Sequence, residues 1–201
     1  MAPFRAEFGR NRTRLELQQA QDRLSLKEET SIFTLTLRLP GERPCMKAHK
    51  RIALVAHDNR KKDLVEWIEW NVNILLKHTL TCTGTTGNMV EKAIRNKVPK
   101  SSVPADFSIQ KLRSGPLGGD QQLGAMITEG QIDFVIFFWD PMEPHPHDVD
   151  VKALLRIAVL YNIPIACNRS SADFMISSPL LGQEYTPIVK DYSDYLQRDL
   201  T

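Results

Sequence analysis

The sequence predicts one α/β domain with a doubly wound, mostly parallel sheet flanked by helices. From Arg51 onward, short apolar runs alternate with longer segments of helical periodicity, as in proteins whose parallel strands are joined by crossover helices. Two of these runs, at 52–56 and 134–139, are continuously apolar, which is typical of strands buried on both faces. A chain of 201 residues allows one such domain with a real core and an appended segment.

The elements follow one another in a regular order. Ile52–Ala56 is predicted as a buried strand, and residues 62–78 carry apolar side chains at helical spacing. Residues 80–83 form a short strand that breaks at Gly84. The remaining predictions are a helix at 86–97, a strand at 108–113, a helix at 120–129 stopped by Gly130, a strand at 134–139, a helix at 150–161, a strand at 163–167, a short helix at 172–176 and a closing helix at 192–200.

Residues 1–45 are predicted to be an N-terminal extension, with the main domain at 46–201. Residues 13–29 are polar with scattered leucines, at best a weak helix, and residues 33–39 alternate as an isolated half-buried strand does. Met46 follows directly, so part of the extension could lie upstream of the functional start. The pattern leaves open whether the extension is ordered.

Composition excludes several classes of protein. A net charge of +2 without a basic block argues against a nucleic-acid partner, and no apolar run is long enough to span a membrane. The cysteines Cys45, Cys82 and Cys167 are far apart and form no CxxC pair, which suits inert thiols in a reducing compartment. The N-terminus lacks the apolar core of a signal peptide. We therefore expect a cytoplasmic protein.

Polar and glycine residues collect where the predicted strands end, which is where a doubly wound sheet binds ligands. The segment TGTTG, from Thr83 to Gly87, lies between a strand and a helix. Small residues, hydroxyls and a helix N-terminus suit a phosphate group, but a tight turn with an N-cap threonine fits about as well. Lys61 could add a charge, although most lysines at helix starts are only solvated.

Two further segments have both a chemical and a plain interpretation. Asp120 follows two glycines in GPLGGDQQ; it could be a general base, but its spacing alone favours a helix N-cap. The segment DPMEPHPHDVD gathers acidic residues with His145 and His147. A zinc or iron site there is conceivable. It is not favoured, because no fixed helical ligand pair is present, and a solvated acidic loop is the alternative.

Together these segments resemble the methylglyoxal synthase family. The stretches KRIALVAHDNRK, TGTTGN, SGPLGGDQQLGAMITEG, IDFVIFFWDPMEPHPHDVDVKALLRIA and NIPIACNRSSADF occur in the family's order from about Lys50 to near the C-terminus. The resemblance implies a flavodoxin- or Rossmann-like domain. Two departures are the long N-terminal extension and an insertion at about 96–107, neither of which removes a motif residue.

The resemblance implies a carbon–oxygen lyase that converts dihydroxyacetone phosphate to methylglyoxal and inorganic phosphate, with no cofactor and no metal. It makes Asp120 the base that removes a C3 proton, and Gly115, His57 and His147 the donors to the enediolate. Phosphate would lie among Lys61, Thr83, Gly84, Thr85, Thr86 and Ser114. Asp58, Asp140 and Asp150 would orient the histidines or set the local charge.

The resemblance also implies a homohexamer inhibited by phosphate, with no nucleic-acid or membrane partner. A competing hypothesis is an effector-binding regulatory module, which needs a phosphate cradle but no base. Retention of Asp120, His57 and His147 argues against it. A metal hydrolase using His145 and His147 is a third possibility, and it predicts activity that a chelator abolishes.

Overall fold

The computed structural model describes residues 44–105, 107–142 and 148–191, with only the backbone given for 148–150. These described residues belong to one compact unit. The sequence predictions for residues 1–43 and for the closing helix at 192–200 lie outside the described residues, as does the segment 143–147.

The core of the domain is a five-stranded, all-parallel sheet in the order β3-β2-β1-β4-β5. This confirms the predicted fold class. The central strand β1 pairs with β2 on one side and β4 on the other, with Ile52 opposite Leu80 and Phe134. The strands are β1 Arg51–Ala56, β2 Thr79–Cys82, β3 Ile109–Lys111, β4 Phe134–Phe138 and β5 Ile165–Ala166.

Helices cover both faces of the sheet. They are α1 Lys61–Leu75, α2 Gly84–Lys97, α3 Gly119–Thr128, α4 Asp148–Leu160 and α5 Arg169–Ile176. Helix α2 begins two residues earlier than predicted, because Gly84 and Thr85 already belong to its first turn. Helix α5 begins at Arg169 because Asn168 caps it, its side chain accepting a hydrogen bond from the Ser171 amide.

The alternation of side chains along the strands divides the core in two. In β1, Ile52 and Leu54 pack with α1, α2 and α5, whereas Ala53 packs with α3 and α4. In β4, Ile136 belongs to the first of these clusters and Phe137 to the second. Strands that bury both faces must be apolar throughout, which explains why these two runs are continuous.

The strand order reverses next to β1, and this positions the site. From β1 the chain moves outward to β2 and β3, then returns to place β4 on the other side of β1. Such a switch point leaves a crevice beyond the carboxyl ends of the adjacent strands. His57 follows β1 directly and Trp139 follows β4, so the loops that carry the motif residues open at this edge.

Candidate active site

A cavity of about 330 Å³ opens at the carboxyl ends of β1, β2 and β3. Its polar lining comes from loops that are far apart in sequence but meet at this edge of the sheet. The predicted site residues among its lining are His57, Asp58, Lys61, Thr83, Thr85, Thr86, Ser114, Gly115 and Asp120. Gly84 and Asp140 are not among the lining residues.

One side of the cavity is the N-terminus of α2. Thr83 is the N-cap residue, as the plain interpretation of TGTTG expects, but its side chain makes no capping hydrogen bond. Thr85 and Thr86 lie in the first turn, where amides lack helical partners and attract anions. The Lys61 Nζ lies 2.5 Å from Thr85 Oγ1 and 2.5 Å from Asp58 Oδ1. A cation, hydroxyls and a helix N-terminus therefore converge here.

Gly84 supports this side of the cavity through packing. A Cβ at this position would lie 2.8 Å from the Cα and N of Ser114. Its amide also donates to the carbonyls of Leu112 and Arg113, each at 3.1 Å. Glycine thus lets the loop after β3 approach the start of α2, which brings Ser114 to the cavity.

The loop from Ser114 to Gly119 fixes the direction of one backbone amide. The Ser114 carbonyl accepts hydrogen bonds from the Leu117 amide at 2.9 Å and the Gly119 amide at 3.0 Å. Because the peptide group is trans and planar, the Gly115 N–H points opposite to that carbonyl. Gly115 lines the cavity, and a Cβ there would meet nothing within 4 Å among the described residues. The loop thus presents an amide donor at an open position.

Asp120 lies in the first turn of α3, not at its cap. The N-cap is Gly118, whose φ of 87° is in the left-handed region, where glycine carries no steric penalty. The sequence preference for Asp120 as the cap is therefore wrong. Its Oδ1 accepts the Gln121 amide at 3.1 Å. The structure thus directs a first-turn carboxylate to the cavity.

The ring of His57 is held in one tautomer. Its Nδ1 accepts the Asp140 backbone N–H at 3.3 Å, so the neutral imidazole carries its proton on Nε2. The ring also packs edge-on against Phe137, with centroids 5.1 Å apart. His57 is thereby prepared as an Nε2–H donor at the end of β1.

Asp140 supports this arrangement mainly through its backbone. The Met142 amide, bonded to its Oδ1 at 3.1 Å, is the main cause that holds the pKa of the Asp140 carboxyl below its usual range. The Asn59 amide group and the positive charge of Arg60 act in the same direction. The carboxylate stabilises the turn whose amide contacts His57.

The remaining predicted residues come from the acidic segment that leads into α4. Glu143, His145 and His147 lie outside the described residues. Asp150 belongs to the first turn of α4, and only its backbone is described. Within the described ranges, no three His, Cys, Asp or Glu side chains are grouped so as to hold a metal ion, and no helix is long and apolar enough to cross a membrane.

Sequence reasoning missed the apolar half of the cavity. This wall combines strand residues with residues from the facing sides of α3 and α4. It comprises Val55, Ala56, Leu123, Phe137, Val151 and Leu154. The helical periodicity of these segments signals burial, but it does not distinguish a core position from a cavity wall.

A family model, two relatives and a solved structure all match this chain over most of the described domain. The family model described as the MGS-like domain matches residues 63–167. A methylglyoxal synthase from Maridesulfovibrio salexigens is 59% identical over 153 residues, which are 75% of this chain and 98% of the relative. One from Oleidesulfovibrio alaskensis is 52% identical over 76% of this chain and 97% of the relative. The crystal structure of methylglyoxal synthase from Elizabethkingia anophelis matches with a TM-score of 0.69 and 47% identity, covering 79% of this chain and 97% of that one.

Proposed function

The chain belongs to the methylglyoxal synthase family, and we propose that the cavity described above is where it carries out the family's reaction. It is a lyase that converts dihydroxyacetone phosphate to methylglyoxal and inorganic phosphate. The observation that carries the assignment to this cavity is that a carboxylate, a backbone donor, an oriented imidazole and an anion site all line it. That arrangement supports the roles proposed below, except that of His147, which rests on the resemblance.

Asp120 is the general base. It takes a proton from C3 of the substrate, next to the carbonyl, and the electron pair moves into a C2–C3 double bond to give an enediolate. A positioned base typically contributes about 10²–10⁴-fold to the rate. The support for this role is the placement of Asp120 in the first turn of α3 at the cavity.

The Gly115 amide, His57 and His147 stabilise the enediolate oxygens. Gly115 offers an N–H fixed by the hydrogen bonds of the Ser114 carbonyl, and His57 offers Nε2–H because Nδ1 is an acceptor. Losing one preorganised donor of this kind commonly costs about 3–4 kcal/mol of barrier. His147 enters this set by resemblance alone.

The phosphate is bound by a cradle of five residues: Lys61, Thr83, Thr85, Thr86 and Ser114. This cradle sets the torsion angle about the C1–C2 bond of the substrate. Elimination requires the C1–O bond to phosphate to stand perpendicular to the enediolate plane, so that it overlaps the π system. When it does, the C1–O bond breaks, phosphate leaves with the electron pair, and the enol of methylglyoxal remains. If the bond lies in the plane, the enediolate is reprotonated instead. Fixing the phosphate therefore selects elimination.

The apolar wall excludes water from the reacting carbons. Leu123 lies three residues after Asp120 on α3, and Val151 and Leu154 line the cavity from α4. Low local polarity strengthens the interaction of the donors with the developing negative charge. It also limits protonation of the enediolate by solvent.

Family membership supports further proposals. We propose that inorganic phosphate, as the product, inhibits the enzyme by occupying the same cradle, and that the chain assembles as a homohexamer. We also propose a cytoplasmic location, for which the three free cysteines Cys45, Cys82 and Cys167 give support. No cofactor is required in this scheme.

The test is incubation of the full chain with dihydroxyacetone phosphate and a colorimetric assay for the dicarbonyl product, with and without added inorganic phosphate. The enzyme should form methylglyoxal, and phosphate should slow it. Binding of phosphate without any dicarbonyl product would instead identify a regulatory module.

A further inference from the structure

The loop that presents the Gly115 amide starts at an edge of the sheet. Among the described strands, β3 has a neighbour on one side only, which is β2. The Leu112 amide donates to the Cys82 carbonyl of β2 at 2.8 Å. Since amides alternate in direction along a strand, the next amide, that of Arg113, points away from β2 and out of the described sheet.

A side chain of α3 occupies the place that a further strand would take. The Oε1 of Gln122 accepts the Arg113 N–H at 2.8 Å. On the other side of the same peptide group, the Leu112 carbonyl accepts the Gly84 amide at 3.1 Å. The peptide group between Leu112 and Arg113 is thus held from both sides, by α3 and by the start of α2.

The next two peptide groups are held in sequence from this point. The Arg113 carbonyl accepts the Gly84 amide and lies so close to Gly119 that a Cβ there would be 2.0 Å from it. The Ser114 carbonyl accepts the Leu117 and Gly119 amides. The orientation of the Gly115 N–H therefore depends on a series of fixed peptide planes that begins at the Gln122 contact.

We propose that Gln122 is a positioning residue, which acts through Arg113 and Ser114 to aim the Gly115 amide at the enediolate oxygen. This inference rests on the proposed function, because it assumes that the Gly115 amide is the oxyanion donor. Gln122 itself is exposed and is not among the residues that line the cavity.

We expect that removing the Gln122 acceptor lowers kcat substantially and changes the stability of the fold little. An exposed hydrogen bond contributes little to folding, since water replaces the lost partner. A donor displaced by a fraction of an ångström loses much of its transition-state interaction, because preorganised geometry is what makes such donors effective. If Gln122 had only a structural role, its replacement would lower the melting temperature and leave kcat per folded molecule unchanged.

The experiment compares three variants with the wild type. Gln122→Met removes the acceptor at similar side-chain length, and Gln122→Glu keeps an acceptor oxygen and should restore function. Gln131→Met is the matched control, because it removes another exposed glutamine hydrogen bond, Nε2 to Glu129 Oε2 at 2.8 Å, in the turn after the far end of α3. Each is assayed for kcat and KM with dihydroxyacetone phosphate, for melting temperature, and for binding of phosphoglycolate and inorganic phosphate.

Gln122→Met should lower kcat about tenfold, a fraction of the loss expected for complete removal of a donor, with KM and the melting temperature nearly unchanged. Binding of phosphoglycolate, whose carboxylate mimics the charge and geometry of the enediolate oxygens, should weaken several-fold, while inorganic phosphate binds as before. Gln122→Glu and Gln131→Met should stay within about threefold of wild type. If Gln122→Met does not fold, Gln122→Ala replaces it in the same assays, because alanine lacks the acceptor and has high helix propensity.

Wild-type kcat in Gln122→Met, or equal weakening of phosphoglycolate and inorganic phosphate, would overturn the role of Gln122. A wild-type chain that forms no methylglyoxal would instead overturn the proposed function. The two failures are therefore distinguishable.

Discussion

At the scale of single residues, the position of Asp120 separates two roles for a carboxylate at a helix start. An N-cap aspartate would accept the N2 or N3 amide of its own helix, but Gly118 occupies the cap. Asp120 instead accepts the amide of the adjacent Gln121 through Oδ1 and lines the cavity. The side chain is thus placed to serve a substrate. Its glycine neighbours make this possible, because Gly119 packs against the Arg113 carbonyl with no space for a Cβ.

Replacing this carboxylate should abolish most of the chemistry and spare binding. Asp120→Asn should lower kcat at least ~10²-fold, the low end of general-base contributions, while an enediolate mimic such as phosphoglycolate binds within about an order of magnitude of wild type. The control is Asp63→Asn, another first-turn carboxylate, which forms an exposed ion pair with Arg60. A folded Asp120→Asn enzyme with near wild-type turnover would show that another group is the base.

His147 is expected to move protons between the substrate oxygens. An imidazole with an ordinary pKa near 6.5 can both donate and accept protons around neutrality, so kcat should have its optimum there. His147→Gln keeps a donor but cannot shuttle a proton. The variant should bind phosphoglycolate as wild type does but have a lower kcat, which steady-state kinetics across pH would measure. A variant as fast as wild type would remove His147 from the mechanism.

At the scale of elements, the amino end of the sheet contains a buried histidine at the start of β2. The Nδ1 of His78 accepts the Lys50 amide at 3.2 Å. Burial, with further contributions from His49, Lys50 and Lys77, lowers the pKa of His78 to about 4. The residue is thus neutral in the folded protein, and it lies at the end of the sheet opposite the cavity.

Stability should therefore fall in mild acid. In the unfolded chain His78 titrates near 6.5, so the unfolded state binds a proton below that pH, whereas the folded state does not until about pH 4. Stability is full above about 6.5 and decreases as the pH falls toward 4. Urea unfolding between pH 7 and 4.5 should show a shallower decrease for His78→Asn, whose Oδ1 keeps an acceptor for the Lys50 amide. Equal pH dependence in both proteins would contradict this assignment.

The segment at about 96–107, which is predicted to be an insertion, combines an exposed turn with apolar anchors. Lys100–Ser102 forms an exposed 3-10 turn, as expected for a loop. Val98, Val103 and Phe107, by contrast, pack against the core cluster beneath α2. The sequence alone predicts a loop without core residues here, because the three apolar positions are isolated among prolines, lysine and serines. The insertion enters β3 from its amino end, opposite the cavity.

Its removal should affect stability and leave catalysis intact. A short turn in place of 96–107 should keep kcat/KM within about threefold and reduce the free energy of unfolding, by roughly 1 kcal/mol for each half-buried apolar side chain lost. Substituting only Lys100, Ser101 and Ser102 by glycine is the control and should lose less. A folded, shortened enzyme of unchanged assembly state that loses tenfold or more in rate would show that the insertion reaches an active site.

At the scale of the whole molecule, the sequence predicts the fold class because the strands are buried on both faces and read as unbroken apolar runs. It does not predict where weak strands end. Residues 108–113 are predicted as a strand, but β3 covers only Ile109–Lys111, because beyond it the Arg113 amide bonds to Gln122 and not to a strand. Strand β5 is likewise shorter than predicted, and it lies at the other edge of the described sheet, paired with β4.

The polar half of the candidate site could be named from the sequence, and the apolar half could not. The resemblance of the motifs, taken in order, identifies His57, Lys61 and Asp120. Position after a strand end alone leaves Lys61 and Asp120 with plain interpretations. The contribution of the Asp140 backbone amide to the tautomer of His57 depends on two loops meeting in space, and no sequence pattern records it. The same holds for Leu123 and Leu154, which are ordinary core positions by periodicity but line the cavity.

The most direct test of the account is the product balance from dihydroxyacetone phosphate. Methylglyoxal, inorganic phosphate, glyceraldehyde 3-phosphate and dihydroxyacetone are measured together over one time course, with and without a chelator. We expect methylglyoxal and phosphate in equal amounts, almost no glyceraldehyde 3-phosphate, and no effect of the chelator. Phosphate released together with dihydroxyacetone, in a reaction that the chelator stops, would identify a metal-dependent hydrolase and contradict elimination from an enediolate in this cavity.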